Sequence, residues 1–290
     1  MKLAFGAATF ACAALLSACG GGGGGSSAGG TTSLTGVFSD SAVSGLTYVI
    51  GGVAAKTDAS GHFTYKSGDT VTFKVGDVVL GSAVAQAFMS PVTLISGATD
   101  ETNVTVTNIA KFLQTVDDDN NPSNGIQITS GIHSAAVGRT INFAQTSSAY
   151  DSDTAVTNAY AALNGASTSG THAAVGDSNA QTHLQGTLLA AMAGTYNGNY
   201  SGSSSGTFTF TVNSGGQITS GTISNTGGAV MTGNIASGGG FSSSNPGTLG
   251  GNPVTVSFSG TISAGASTVS GNWSVSGSGY NFSGTFSGKK

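Results

Sequence analysis

Between Asp177 and Lys289 the chain carries no Asp, Glu, Lys or Arg, and within that stretch one four-residue phrase recurs, five copies of which set a spacing. The phrase is Ser/Thr-Gly-Thr/Asn-apolar, at Ser220-Gly221-Thr222-Ile223, Thr232-Gly233-Asn234-Ile235, Ser259-Gly260-Thr261-Ile262, Ser270-Gly271-Asn272-Trp273 and Ser283-Gly284-Thr285-Phe286. The steps are 12, 27, 11 and 13 residues. A step near 12 is one strand plus one tight turn, and 27 leaves room for an extra strand. Side chains alternate across a strand, so Met231, Gly233 and Ile235 share a face, as do Phe258, Gly260 and Ile262, Val269, Gly271 and Trp273, and Phe282, Gly284 and Phe286. Phe208, Phe210 and Val212 do likewise. Glycine between two large apolar residues suits the inside of a strongly curved small barrel, where bulky residues from opposite walls need space. The other face is Ser, Thr and Asn and should be wet. Residues 194–288 are therefore predicted to form a seven- or eight-stranded antiparallel meander or small β-barrel.

The same stretch narrows the chemistry. General acid–base catalysis needs a group that titrates near working pH, and metal sites need carboxylate, imidazole or thiolate. Besides tyrosines, only His183 there titrates readily. A net charge of −4 with Arg139 as the single arginine argues against a nucleic-acid partner, which demands a basic patch.

At the other end, Lys2 precedes an apolar run over residues 3–16 and then small residues, the order of a secretory signal. Leu16-Ser17-Ala18-Cys19 resembles the lipobox of bacterial lipoproteins. That resemblance implies cleavage after residue 18, attachment of lipid (diacylglycerol and palmitate) to Cys19, and anchoring in a lipid bilayer. Cys12 falls in the discarded part, so no thiol remains for a disulfide. Gly20, where an acidic residue would signal inner-membrane retention, implies the outer membrane. A glycine- and serine-rich run completes a tether over residues 19–35, a flexible coil reaching on the order of 20–25 Å.

Residues 36–100 alternate apolar and polar side chains in short runs, as in Leu46-Thr47-Tyr48-Val49-Ile50, His62-Phe63-Thr64-Tyr65 and Val71-Thr72-Phe73-Lys74-Val75. Such runs read as half-buried strands. Thr57-Asp58-Ala59-Ser60-Gly61-His62-Phe63 resembles the T-D-x-x-G-x-F turn of carboxypeptidase-regulatory-like and Ig-like β-sandwich modules, and 40–46 resembles their opening strand. Such modules stabilise, space or bind.

Over 101–193 the expectation is helical. Val106, Ile109, Ala110 and Leu113 recur at helical spacing, predicting a helix over 103–116. A second is expected to be capped by Asp151 or Ser152, and a third to start near Ser178 and end before Gly194. After the first lies the densest acidic cluster, where Asp117, Asp119 and Asn121 match the start of a calcium loop. Pro122 and Ile128 stand where an EF-hand needs glycine and glutamate, which excludes that motif. The segment also resembles one recurring in large bacterial surface adhesins and lipoproteins. The alternatives are a calcium site on those three residues or a solvated turn.

Together these features predict a mainly β chain, an Ig-like sandwich followed by helical segments and a C-terminal barrel. The barrel pattern resembles the transferrin-binding-protein lobes of surface lipoproteins. No nucleophile elbow, H-E-x-x-H or Walker motif occurs, and His133, His172 and His183 lack partners at diagnostic spacing. The expected role is a non-catalytic binding, adhesion or structural module of the bacterial envelope, meeting a host protein or glycan. The rivals are a carrier of a small apolar ligand in the barrel, an envelope hydrolase, and a transmembrane barrel with its apolar face turned to lipid.

Overall fold

The computed structural model describes residues 32–225 and 230–290. The signal-like segment, Cys19 and the glycine run lie outside the described residues. The first part is built from β1 (Ser33–Phe38), β2 (Val43–Ser44), β3 (Thr47–Ile50), β4 (Val53–Lys56), β5 (His62–Lys66), β6 (Thr70–Val75), β7 (Val78–Val84) and β8 (Phe88–Met89). Two sheets ordered β5-β1-β8 and β4-β3-β6-β7 form the sandwich-like layer pair. Alternation decides which residues meet: Phe63 and Tyr65 of β5 and Val71, Phe73 and Val75 of β6 are buried while their neighbours are not. Phe73 lies 4.4 Å from Phe38 and 5.3 Å from Phe63, ring centre to ring centre. The first strand begins at Ser33, inside the run assigned to the tether, and pairs with β5 from Ser33 opposite Lys66.

In the turn before β5, Asp58 Oδ1 accepts the backbone N–H groups of Ser60 and His62, both at 2.8 Å. Gly61 takes φ +77°, and a Cβ there would come within 2.6 Å of the Phe38 carbonyl oxygen. The turn is thus fixed by backbone geometry, with His62 exposed at the strand start.

The helical part comprises α1 (Val104–Thr115), a short strand β9 (Ile126–Gln127) that pairs with β2, then α2 (Ser130–Ala135), α3 (Ser147–Ser152), α4 (Thr154–Asn164) and α5 (Asp177–Met192). Asn103 caps α1 by accepting N–H groups of Thr105 and Val106. Asp153, one or two residues past the expected caps, does so for α4. A single apolar cluster runs from Phe38 through Phe112 and Leu113 to Leu163, so the sandwich and the first helices share one core. The other side of α1 packs on α5 through Val106, Ala110, Ala180, Leu184 and Leu188. Lys111, 1% exposed, reaches Asp151 at 2.5 Å and Asp177 at 2.7 Å and lies over the Tyr150 ring, tying α1 to α3 and α5.

The last part is one eight-stranded antiparallel sheet: β10 (Gly194–Gly202), β11 (Gly206–Val212), β12 (Gln217–Ile223), β13 (Gly233–Asn234), β14 (Gly240–Leu249), β15 (Asn252–Ser263), β16 (Thr268–Gly277) and β17 (Tyr280–Lys289). Its order is β13-β12-β11-β10-β17-β16-β15-β14, with β10 lying between β11 and β17. The edges meet through a bridge between Ile235 and Phe241, making a nearly closed barrel. Buried polar side chains also cross that seam. Thr232 Oγ1 donates to Asn245 Oδ1 at 2.7 Å, and Ser243 Oγ donates to the Thr232 carbonyl.

The expected inner face is found inside. Phe208, Phe210, Met231, Phe258, Ile262, Val269, Trp273 and Phe286 are all buried, with Phe282 half-buried. The reason for the glycines differs from the expected one. A Cβ at Gly198 or Gly288 would lie 2.6 or 2.8 Å from Phe208 Cζ, and at Gly260 or Gly271 it would lie 2.9 or 2.8 Å from Phe286 Cζ. Each ring therefore reaches with its tip over glycines of the next two strands in its own wall. Because the apolar face points inward and Ser, Thr and Asn point outward, the lipid-facing belt of a transmembrane barrel is missing among the described residues. Helix α5 closes one barrel end: Met192 and Leu189 lie against Gly239 and Gly216, and Lys290 Nζ donates to the carbonyls of Ala191 and Ala193.

Candidate functional site

The barrel's outer face carries side chains in lateral rows, because paired residues on neighbouring strands point the same way. One row is Ser244, Ser257, Ser274 and Ser283. The next is Ser242, Ser259, Asn272, Thr285 and Ser201, and a third is Thr261, Ser270, Ser287, Asn199 and Thr207. Members of a row stand about 4.8 Å apart, the strand spacing. Neighbours bond sideways: Ser244 Oγ lies 3.2 Å from Ser257 Oγ, and outside these rows Thr209 Oγ1 donates to Asn197 Oδ1 at 2.9 Å. The middle of this face is a shallow depression of about 670 Å³, lined by the first row and by Ser242, Ser259, Asn272 and Thr285 of the second. A second of about 440 Å³ is lined by Asn199, Ser201, Ser270, Asn272, Thr285 and Ser287. The three rows hold only hydroxyl and amide side chains. No protein-family model, curated protein or solved structure matches this chain.

Chemically, such a surface offers many donors and acceptors at regular intervals and no field to attract an ion. Hydroxyls rotate to donate or accept as needed, and asparagine does both at once. The sequence pattern identified this face as wet. It did not identify Asn272, Thr285 or Asn199 as neighbours, because strand register is set by turns and bulges.

A second cluster joins residues remote in sequence. Ser41 Oγ lies 2.9 Å from Nε2 of His183 on α5, and the Ser41 N–H donates to Thr187 Oγ1 at 2.9 Å. Ser41 holds φ +55° in the tight turn between Ser39 and Ala42. Asp40 is fully buried beside it; its Oδ2 accepts from Gln114 Nε2 at 3.0 Å while its Oδ1 has no hydrogen-bond partner. Burial pushes the Asp40 carboxyl up to about 7, opposed by the Gln114 bond. Burial also pushes His183 below the usual imidazole range, opposed by the Asp40 backbone carbonyl. A serine beside a neutral imidazole is the pair that activates a hydroxyl. Two further features describe its surroundings. The Ser41 N–H is already bonded to Thr187, and Asp40 Oδ1 stands 3.9 Å from Nε2, the nitrogen that meets Ser41, where an orienting carboxylate belongs on Nδ1. The cluster fastens the 39–42 turn to α5. No spacing in the sequence links Asp40 and Ser41 to His183.

The acidic cluster after α1 folds on itself. Asp117, fully buried, accepts the N–H of Gln127 at 2.8 Å on one oxygen and that of Asn121 at 2.9 Å on the other. Burial raises its carboxyl to about 6. Asp119 accepts from Asn121 N–H and Asn124 Nδ2, and these bonds hold its carboxyl below the usual range. Both carboxylates thus face backbone and amide donors that shape the loop into β9. Among the described residues, no group of three His, Cys, Asp or Glu side chains is placed to hold a metal ion. The remaining predicted site residue, Cys19, lies outside the described residues.

Proposed function

We propose that this chain is a lipid-anchored binding module of the bacterial envelope whose barrel exterior grips an uncharged polyhydroxylic ligand, a neutral glycan. The observation that carries this reading is the set of in-register Ser, Thr and Asn rows floored into a shallow depression with no ionised side chain in them. A neutral glycan needs many directional hydrogen bonds and no countercharge, which such rows supply. A protein partner would call for aromatic and arginine anchors at the centre of the face, and the rows contain neither. A carrier of long acyl chains is disfavoured because Phe208, Phe258, Trp273 and Phe286 fill the interior.

Retention on immobilised neutral polysaccharides, measured with and without high salt, tests the reading. Binding should survive salt, since no ion pair contributes, and Ser257→Lys with Asn272→Lys should weaken it at least tenfold without lowering the melting temperature. Absence of retention on every neutral glycan, or equal retention by the double variant, overturns it. The anchor is tested separately by labelling cells with palmitate: Cys19→Ser should abolish incorporation.

A further inference from the structure

We propose that the barrel end remote from α5 holds a binding site for a compact, uncharged apolar ligand about the size of one aromatic ring. A cavity of about 70 Å³ lies there, walled chiefly by Val254, Val256, Phe258, Trp273, Val275 and Phe282. That is about half the roughly 150 Å³ of an engineered apolar cavity that stays dry and takes up benzene, and the cavity opens at the barrel end, so a single ring seats with its outer edge in the mouth. Its chemistry is one-sided. The Trp273 indole N–H is spent on the Ser201 carbonyl at 3.0 Å, and the Tyr200 hydroxyl donates to the Ser224 carbonyl at 2.7 Å. A ligand inside therefore finds apolar surface and no free donor from these two walls, which favours a hydrocarbon-like group over a phenol or an acid.

The floor sets the size limit. Below Phe258 the rings continue without a gap: Phe286 stands 6.0 Å from Phe258, 5.5 Å from Phe208 and 6.2 Å from Phe241, centre to centre. Those rings are held down by the glycines beneath them, so an acyl chain cannot thread past. Unlike the glycan reading, which concerns the outer face, this site uses only the inner one, and each can fail alone.

Trp273 is the only tryptophan of the chain and lines the cavity, so its fluorescence reports occupancy directly. The full chain carrying Cys19→Ser, titrated with toluene, should show a saturable change in Trp273 emission. Val254→Phe, which fills the mouth, should weaken that response at least tenfold. Phe282→Ala, at a half-buried rim position, should widen the mouth and admit naphthalene. Palmitate should give no saturable change. The proposal is overturned if toluene gives only a linear, non-saturating effect. It is equally overturned if Val254→Phe folds as the parent does by circular dichroism and responds unchanged, or if palmitate saturates the signal.

Discussion

Replacing Asp40 with asparagine should stabilise the protein at neutral pH and flatten its pH dependence. The carboxyl is fully buried, has one hydrogen bond from Gln114, and is pushed from an ordinary 3.8 to about 7. Because the folded value is raised, the unfolded chain ionises first as pH rises. Asp40's contribution is therefore intact below pH 3.8 and drains away until about pH 7, above which it is constant. Three units at about 1.4 kcal/mol each put the ceiling near 4 kcal/mol. The nearest group able to carry positive charge is His183, 3.9 Å away, and burial keeps it neutral through the upper part of that window, so little of the cost is offset there. With about 2–4 °C of melting temperature per kcal/mol for a domain of this size, the parent should lose roughly 10 °C relative to Asp40→Asn between pH 4.5 and 7.5. Asparagine keeps the shape and can still accept from Gln114. Thermal unfolding followed by near-ultraviolet circular dichroism at intervals across that range measures the difference. Parallel curves for the two proteins would refute the reasoning.

Three further outcomes follow from the packing. Removing both carboxylate partners of Lys111 with Asp151→Asn and Asp177→Asn should cost about 3–5 kcal/mol, because it leaves a cation that is 1% exposed without a countercharge. Lys111→Met should cost less, since it leaves carboxylates that are 54% and 42% exposed; urea titrations of the two variants rank them. Gly271→Ala would put a Cβ 2.1 Å from the Ser259 carbonyl and 2.8 Å from Phe286, so it should cost at least about 1–3 kcal/mol in the same assay; tolerance within a few tenths would show that the rings are not seated on glycine. Excess calcium should leave the melting temperature unchanged, as Asp117 is already committed to two backbone N–H groups, and a clear rise would restore a cation to that loop.

What was legible in the sequence is what repeats locally. The run Val106, Ile109, Ala110 and Leu113 placed α1 to within a residue, because an Asn cap and a helical period both act over one or two turns. Strict alternation listed the barrel's inner side chains, and the long step between Thr232 and Ser259 accommodates β14. Features that depend on distant partners were illegible. Helices α2 and α3 have six residues each, too few to show a period. The rings rest on glycines of neighbouring strands because register brings Phe286 beside Gly271 and Phe208 beside Gly198, which no single strand declares. Of the candidate sites, the sequence exposed the hydroxyl face as a composition and missed its rows, while the meeting of Ser41 with His183 spans 142 positions and left no signal.

The placement of β10 governs the order in which the barrel can assemble. It must pair on one side with β11, its immediate successor, and on the other with β17, joining Tyr200 to Phe286. A chain emerging from its amino end can zip β10 to β11 and β11 to β12 at once, but the opposite edge of β10 stays bare until β17 appears. Closing so long a loop is slow, and meanwhile the Phe208 ring faces water where Gly288 will later support it. During synthesis the barrel part thus exposes its inner rings until the final strand arrives, the interval in which an unpaired edge is open to aggregation.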